Sequence, residues 1–383
     1  MNLESFLAQK PLFYDVIDYE RFPRAYASVS NFLNHPKIIH MVGTNGKGST
    51  GRFLSLALHR TGKKTGHYTS PHILKFNERI WIDGEDVSEG ELEKGHQKLI
   101  GVLDSATAEA LSYFEYTTLL AMVVFEECEY VVVEAGLGGE FDATNVFDKV
   151  LSVFTPIDFD HSSFLGRTIE SIATTKLRSM ENLALLGNQN HPEVEEIARK
   201  IAAEKGCLLR GVGEKITSTI ESMALHLATK NDLSDYLRDN LILSMVAFEL
   251  LGYEARSELF DQSALFGRLS KIGENVTLDV GHNALAAGAI AKSYCGKKIT
   301  LIYNTYADKD YREILTILAP IIDSVEIIDV EEGRIVPLPL LEAVLNEIGL
   351  RYELFKAMDR TKEYLVFGSF SVAEAFLKRM NNP

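Results

Sequence analysis

The residues with the clearest chemical potential run from Gly43 to Thr50, in the order Gly43, Thr44, Asn45, Gly46, Lys47, Gly48, Ser49 and Thr50. Glycines at 43, 46 and 48 let the backbone turn tightly and aim several N–H groups at one anion. Lys47 supplies a cation on a long stem that can reach the outer phosphates of a nucleotide. The hydroxyl of Ser49 or Thr50 is a hard oxygen suited to Mg²⁺. A helix beginning near Ser49 adds its positive dipole end to the same point. The loop is shorter between its first glycine and Lys47 than the common phosphate-binding loop, and Gly48 intervenes before the serine. The alternative is an ordinary strand-to-helix turn. The apolar run before the loop, the lysine and the hydroxyls together favour nucleotide binding.

A phosphate loop needs an acid to organise Mg²⁺. The run Tyr130-Val131-Val132-Val133 ends in Glu134, and Gly136, Gly138 and Gly139 follow it, leaving room for a ligand. A carboxylate at the C-terminal end of a strand sits where α/β sheets place their chemistry. The alternative is a strand-ending acid facing water. The next apolar run leads to Asp158, Asp160 and His161, which puts the imidazole at the same sheet edge, as a ligand or as a structural histidine.

These groups must be held by elements of matching period. Continuous apolar runs at 37–42, 130–134, 150–155, 276–280, 299–302, 324–328 and 365–367 predict strands buried on both faces. Helical spacing falls between them, at 50–61, 117–127, 169–180, 240–251 and 311–318. Such alternation predicts an α/β fold with a parallel sheet. Residues 78–87 predict a hairpin with Asp83-Gly84 as its turn. A charged, glycine-containing stretch at 266–274 marks the break between a larger N-terminal and a smaller C-terminal domain.

The totals bound the rest. The chain has 383 residues, enough for two or three cores. Lysine and arginine number 39 against 54 acidic residues, a net charge of −15. That field argues against nucleic acid or an anionic membrane as partner, so an anionic ligand needs a local device. Cys128, Cys207 and Cys295 are too scattered for a metal pair or a disulfide framework. The N-terminus lacks the pattern of a signal peptide, and no run approaches the roughly 18 apolar residues of a membrane span. A soluble, cytoplasmic protein is expected.

Four stretches occur in one order: GTNGKGS at 43–49, YTSPHILKFNERI at 68–80, EAGLGGEFDATNV at 134–146 and DFDHSSFLGRTIESIATTK at 158–176. With RDN at 238–240, FGR at 266–268, DVGHN at 279–283 and ADKD at 307–310, the chain resembles the folylpolyglutamate synthase/dihydrofolate synthase family of Mur-type ATP-dependent amide ligases. The resemblance implies a P-loop-containing ATP-binding domain with a parallel sheet and a pterin site, at 1–267, and a smaller Rossmann-like ligase domain, at 268–383. It implies that ATP phosphorylates a carboxylate and that L-glutamate attacks the acyl phosphate. Dihydropteroate or a reduced folate is the implied acceptor, and a monomer is expected.

By the same resemblance Ser49, Ser70 and Glu134 bind one Mg²⁺, and Glu134, His161 and Lys176 bind a second. A bare ammonium cannot ligate a cation, so Lys176 is expected to be carbamylated. Read from the residues alone, it is a solvated helix lysine. Lys47, Glu134, His161 and Lys176 are the implied catalytic set. Thr44 to Thr50, Asn240, Arg268, Asp279 and His282 are the implied ATP contacts. Asp142 and Ala143, with Phe114 and Thr117, match the walls of the pterin pocket, although Phe114 also reads as plain core. Residues 177–179 and Val280 depart from the family pattern. A cell-wall Mur ligase and a non-catalytic P-loop ATP-binding module are the competing functions.

Overall fold

The computed structural model describes residues 1–11 and 18–381. The chain forms two compact units, one of residues 1–233 and 237–263, the other of residues 234–236 and 264–383.

The first unit is built on eight strands: β1 (Lys37–Val42), β2 (Thr65–Tyr68), β3 (Ile80–Ile82), β4 (Glu85–Asp86), β5 (Tyr130–Glu134), β6 (Lys149–Phe154), β7 (Leu183–Leu186) and β8 (Leu208–Gly211). Their order is β4-β3-β2-β5-β1-β6-β7-β8. All neighbours from β2 to β8 are parallel, and β3 and β4 add antiparallel edges through the expected hairpin. The central strands explain the continuous apolar runs. Alternate residues face opposite sides, so Ile38, Val131 and Val133 enter one core while Ile39, Met41, Val132 and Val153 enter another. Helices Glu89–Val102 and Tyr113–Val124 cover the first face, and Lys47–Arg60 and Asp235–Leu250 the second. Full burial of each such side chain is worth about 1.5–3 kcal/mol.

The second unit carries β9 (Ser270–Lys271), β10 (Val276–Leu278), β11 (Ile299–Tyr303), β12 (Ile322–Ile327), β13 (Tyr352–Leu354) and β14 (Tyr364–Phe367), in the order β13-β12-β11-β14-β10-β9. Only β9 runs antiparallel. The α/β class and the parallel sheets are as the sequence predicts.

Three boundaries differ in a way that matters for the site. The first long helix starts at Lys47, not near Ser49, because Gly46 takes a left-handed turn (φ +92°) that launches it. Lys47, Gly48 and Ser49 therefore form its first turn. The helix expected at 117–127 runs over Tyr113–Val124, set by a capping box in which Ser112 and Glu115 exchange hydrogen bonds. The helix expected at 169–180 ends at Leu177. Among the described residues no helix is long and apolar enough to cross a membrane.

Candidate active site

The central strand β1 feeds the glycine loop, and its two neighbours bring the other groups to the same edge. Glu134 ends β5 in register with Met41, and the chain after β6 reaches Thr155 to His161. This is the C-terminal edge of a parallel sheet, where helix N-termini and loops leave a crevice.

The loop is pinned from the β6 side. Thr44 N–H donates to Pro156 O at 2.9 Å, its hydroxyl donates to Asp158 O at 2.9 Å, and Asp158 N–H donates back to that hydroxyl at 3.0 Å. On the other side Asn240 packs against Gly46. A Cβ there would come within 2.6 Å of the Asn240 amide oxygen, and the left-handed φ excludes most side chains anyway. Asn240 is thus a close neighbour of the loop.

Two lysines converge on one carbonyl. Lys47 Nζ lies 3.3 Å from Gly43 O and 3.2 Å from Thr44 O, and Lys176 Nζ lies 3.0 Å from Gly43 O. Lys176 is only 4 % exposed. Burial, reinforced by the nearby Lys47 charge, pushes its amine down to about 7, against the pull of Asp160 and Asp142. The solvated helix lysine that the residues alone suggest is therefore not what the fold contains. Lys47, Asp160, His161 and Lys176 line one cavity together with Gly43, Thr44 and the 135–138 loop. His161 holds a left-handed backbone (φ 52°) before the short Ser162–Leu165 helix.

Glu134 is buried at 6 % exposure. One oxygen accepts the Thr69 hydroxyl and, at 3.3 Å, the Ser70 N–H; the other lies 3.7 Å from Lys47 Nζ. Glu134 thereby connects Lys47 to the segment after β2 that carries Ser70. The hydroxyls of Ser49 and Thr50 are buried with no protein hydrogen-bond partner. Buried polar atoms are seldom left unpaired, so these oxygens on the loop's first helical turn suit a phosphate or a divalent cation. Among the described residues no group of three His, Cys, Asp or Glu side chains is placed to hold a metal by itself.

The wall assigned to a pterin is organised in depth. The Phe114 ring lies against Gly136, where a Cβ would meet it at 2.6 Å, and stacks on Tyr68 at 6.0 Å between centroids. Thr117 is fully buried, and its hydroxyl bonds to Tyr68 OH at 3.1 Å, so it acts on the wall through Tyr68. Asp142 is also buried, and its carboxylate serves its own loop. Oδ2 accepts Leu137 N–H at 2.7 Å, and Oδ1 accepts Thr144 N–H at 2.9 Å and the Thr144 hydroxyl at 2.5 Å. Burial raises its carboxyl above the usual range despite these donors. Ala143 follows on the buried 3-10 turn.

Sequence reasoning missed His40. Its Nε2 lies 2.8 Å from Thr144 Oγ1. The Thr144 proton goes to Asp142, so His40 must donate, which makes it the Nε2–H tautomer. Burial holds the imidazole well below its ordinary pKa, keeping it neutral. His40, Thr144 and Asp142 thus form a buried relay from β1 to the 136–146 loop. Thr144→Val keeps the shape and removes the bridge. It is expected to cost about 1–3 kcal/mol, read as a lowered urea midpoint, and to raise the KM of the acceptor with the ATP KM unmoved. Unchanged stability would contradict the relay.

In the second unit Arg268 donates to Gly267 O at 3.1 Å and lies 5.4 Å from the Phe370 ring centroid. Asp279 accepts Tyr236 OH at 2.8 Å, Leu269 N–H at 2.9 Å and Gly281 N–H at 2.8 Å, so its carboxylate is fully engaged there. His282 Nδ1 lies 3.1 Å from Val280 O.

No family model matches the chain. Individual proteins do. It is 31 % identical over 309 residues to the dihydrofolate synthase/folylpolyglutamate synthase of Escherichia coli, covering 75 % of this chain and 72 % of that one. The chain belongs to the dihydrofolate synthase/folylpolyglutamate synthase family. It is an ATP-dependent acid–amino-acid ligase of folate metabolism. Among solved structures, Helicobacter pylori folylpolyglutamate synthetase is 42 % identical with a TM-score of 0.81, covering 100 % of this chain and 98 % of that chain. E. coli FolC in complex with DHPP and ADP is 25 % identical with a TM-score of 0.84, again over 100 % and 98 %.

Proposed function

We propose that this ligase activates the carboxylate of dihydropteroate, or the γ-carboxylate of a reduced folate, as an acyl phosphate and joins it to L-glutamate. The observation that carries the reading is the helix turn that Gly46 launches, with Lys47 held against Gly43 O and the buried, unpartnered Ser49 hydroxyl on the same turn. In a protein of net charge −15, the Lys47 cation and the N-terminus of the helix it begins are a local device for holding a triphosphate. The family relationship and the DHPP and ADP of the FolC complex support the same assignment.

Thr44 to Thr50 hold the phosphates, with Asn240 at their back. Ser49, Ser70, Glu134 and His161, with a carbamylated Lys176, are the assigned ligands of Mg²⁺. Bound by these residues, Mg²⁺ would offset charge on a transferring phosphoryl group. Lys47 adds a fixed positive charge at the same place, and Glu134 holds Lys47 in position. Carbamylation is chemically balanced: the neutral Lys176 nitrogen bonds to the carbon of CO₂ and releases one proton, turning a neutral amine into an anion. Phe114 and the 136–143 loop receive the flat ring system. The assigned active form is a monomer.

ADP release measured with each component omitted in turn tests the reading. Release is expected only with acceptor and L-glutamate together. A Mur-type enzyme would respond to a nucleotide-linked acid instead, and an ATP-binding module to neither. Product masses from dihydropteroate and from tetrahydrofolate then assign the acceptor.

A further inference from the structure

Arg79 is a cation that the fold buries without giving it an anion. The residue is 8 % exposed. It directly precedes β3, and its carbonyl accepts the Thr69 N–H at 2.9 Å, next to Ser70 and to the hydroxyl that binds Glu134. Its Nε donates to His72 Nδ1 at 2.8 Å. Its guanidinium lies 5.3 Å from the Tyr113 ring centroid and 5.9 Å from that of Phe76. Among the described residues no carboxylate forms a salt bridge with it, and its side-chain hydrogen bond is the one from Nε. Arg21 and Lys149 of the same unit are instead paired, with Glu115 and Glu181.

A buried cation is costly unless it is paired, and aromatic faces offset only part of that cost. The planar fork of a guanidinium matches the two oxygens of a carboxylate. The location fits such a ligand. Tyr113 under Arg79 adjoins Phe114, and Phe114 stacks on Tyr68 and covers Gly136 of the cavity. The ring under the guanidinium is thus one residue along the helix from the ring assigned to the acceptor wall.

We propose that Arg79 binds a substrate carboxylate, one carried by the acceptor or the one beside the amino group of the incoming amino acid. The inference rests on the ligase reading above. Holding that carboxylate by a fork fixes the orientation of a flexible substrate before the amide forms, which is where positioning contributes most to rate.

The test uses the full-length protein with Arg79→Gln and Arg79→Lys, measuring KM for the acceptor, L-glutamate and ATP through ADP release. Arg79→Gln is expected to raise the KM of one carboxylate substrate tenfold or more and to move the ATP KM less than twofold. Which KM rises identifies the source of the carboxylate. Arg79→Lys keeps the charge and loses the fork, and is expected to raise the same KM at least threefold; it carries the test if the glutamine variant does not fold. A variant too slow for KM is read by equilibrium dialysis of the acceptor and glutamate, with the same weakening expected. All three constants within twofold of wild type would overturn the inference alone. Wild-type protein without acceptor-dependent ADP release would remove the ligase reading and this inference with it.

Discussion

Lys47→Ala is expected to lower ligase turnover at least about a thousandfold, because a preorganised charge aimed at a developing anion is worth several kcal/mol in an active site. The geometry leaves few substitutes. Lys47 lies 3.7 Å from Glu134 and 3.2–3.3 Å from two loop carbonyls, so it is fixed where the phosphates would enter. Lys176, the neighbouring amine, is held towards its neutral form chiefly by burial, which the substitution leaves in place, so it cannot replace the lost charge in full. The variant should still fold, since Glu134 keeps its Thr69 and Ser70 donors. Steady-state ADP release, with a thermal melt as control, checks both statements. Activity within tenfold of wild type would remove Lys47 from the phosphate site.

Lys176→Ala is expected to be inactive and to regain part of its activity with acetate or propionate. The small carboxylate would occupy the space vacated by the carbamate. The wild-type protein offers a second readout. An amine that titrates at about 7 is mostly neutral above that pH and can add CO₂. Activity should rise as pH passes through about 7 and fall when CO₂ is removed. A carbamate resonance should appear with ¹³C-bicarbonate. Stability follows the same proton. The unfolded chain keeps it up to the ordinary lysine value of 10.5, while the folded chain has already lost it. Unmodified protein should therefore become more stable from about pH 7 to about pH 10.5, with a flat contribution below that window. Activity indifferent to CO₂, with no carbamate carbon, would return Lys176 to a structural role.

Strands β1 and β5 are legible to the residue, because central parallel strands covered on both faces require unbroken apolar runs. Thr65–Tyr68 is not. Its Thr65 and His67 are polar yet buried, and their partners, Asp83 and Arg52, are brought by other segments. The site shows the same division. Lys47 and His161 are visible as motif residues that follow strands, Lys176 only through the family resemblance, and the fold collects all three in one cavity. The satisfied carboxylate of Asp142, the inward hydroxyl of Thr117 and the His40 relay depend on approaches from distant parts of the chain, which spacing does not encode. Arg79 lies within the quoted 68–80 stretch, but only its burial distinguishes it from a surface charge.

The central claim is that the cavity around Gly43 transfers a phosphoryl group to a substrate carboxylate before the amide forms. An acceptor labelled with ¹⁸O in that carboxylate tests it in one turnover. If the carboxylate attacks the γ-phosphorus, the bridging oxygen leaves with phosphate when the amine displaces it. One ¹⁸O in the released inorganic phosphate is the predicted result; unlabelled phosphate formed together with the amide product would contradict the account.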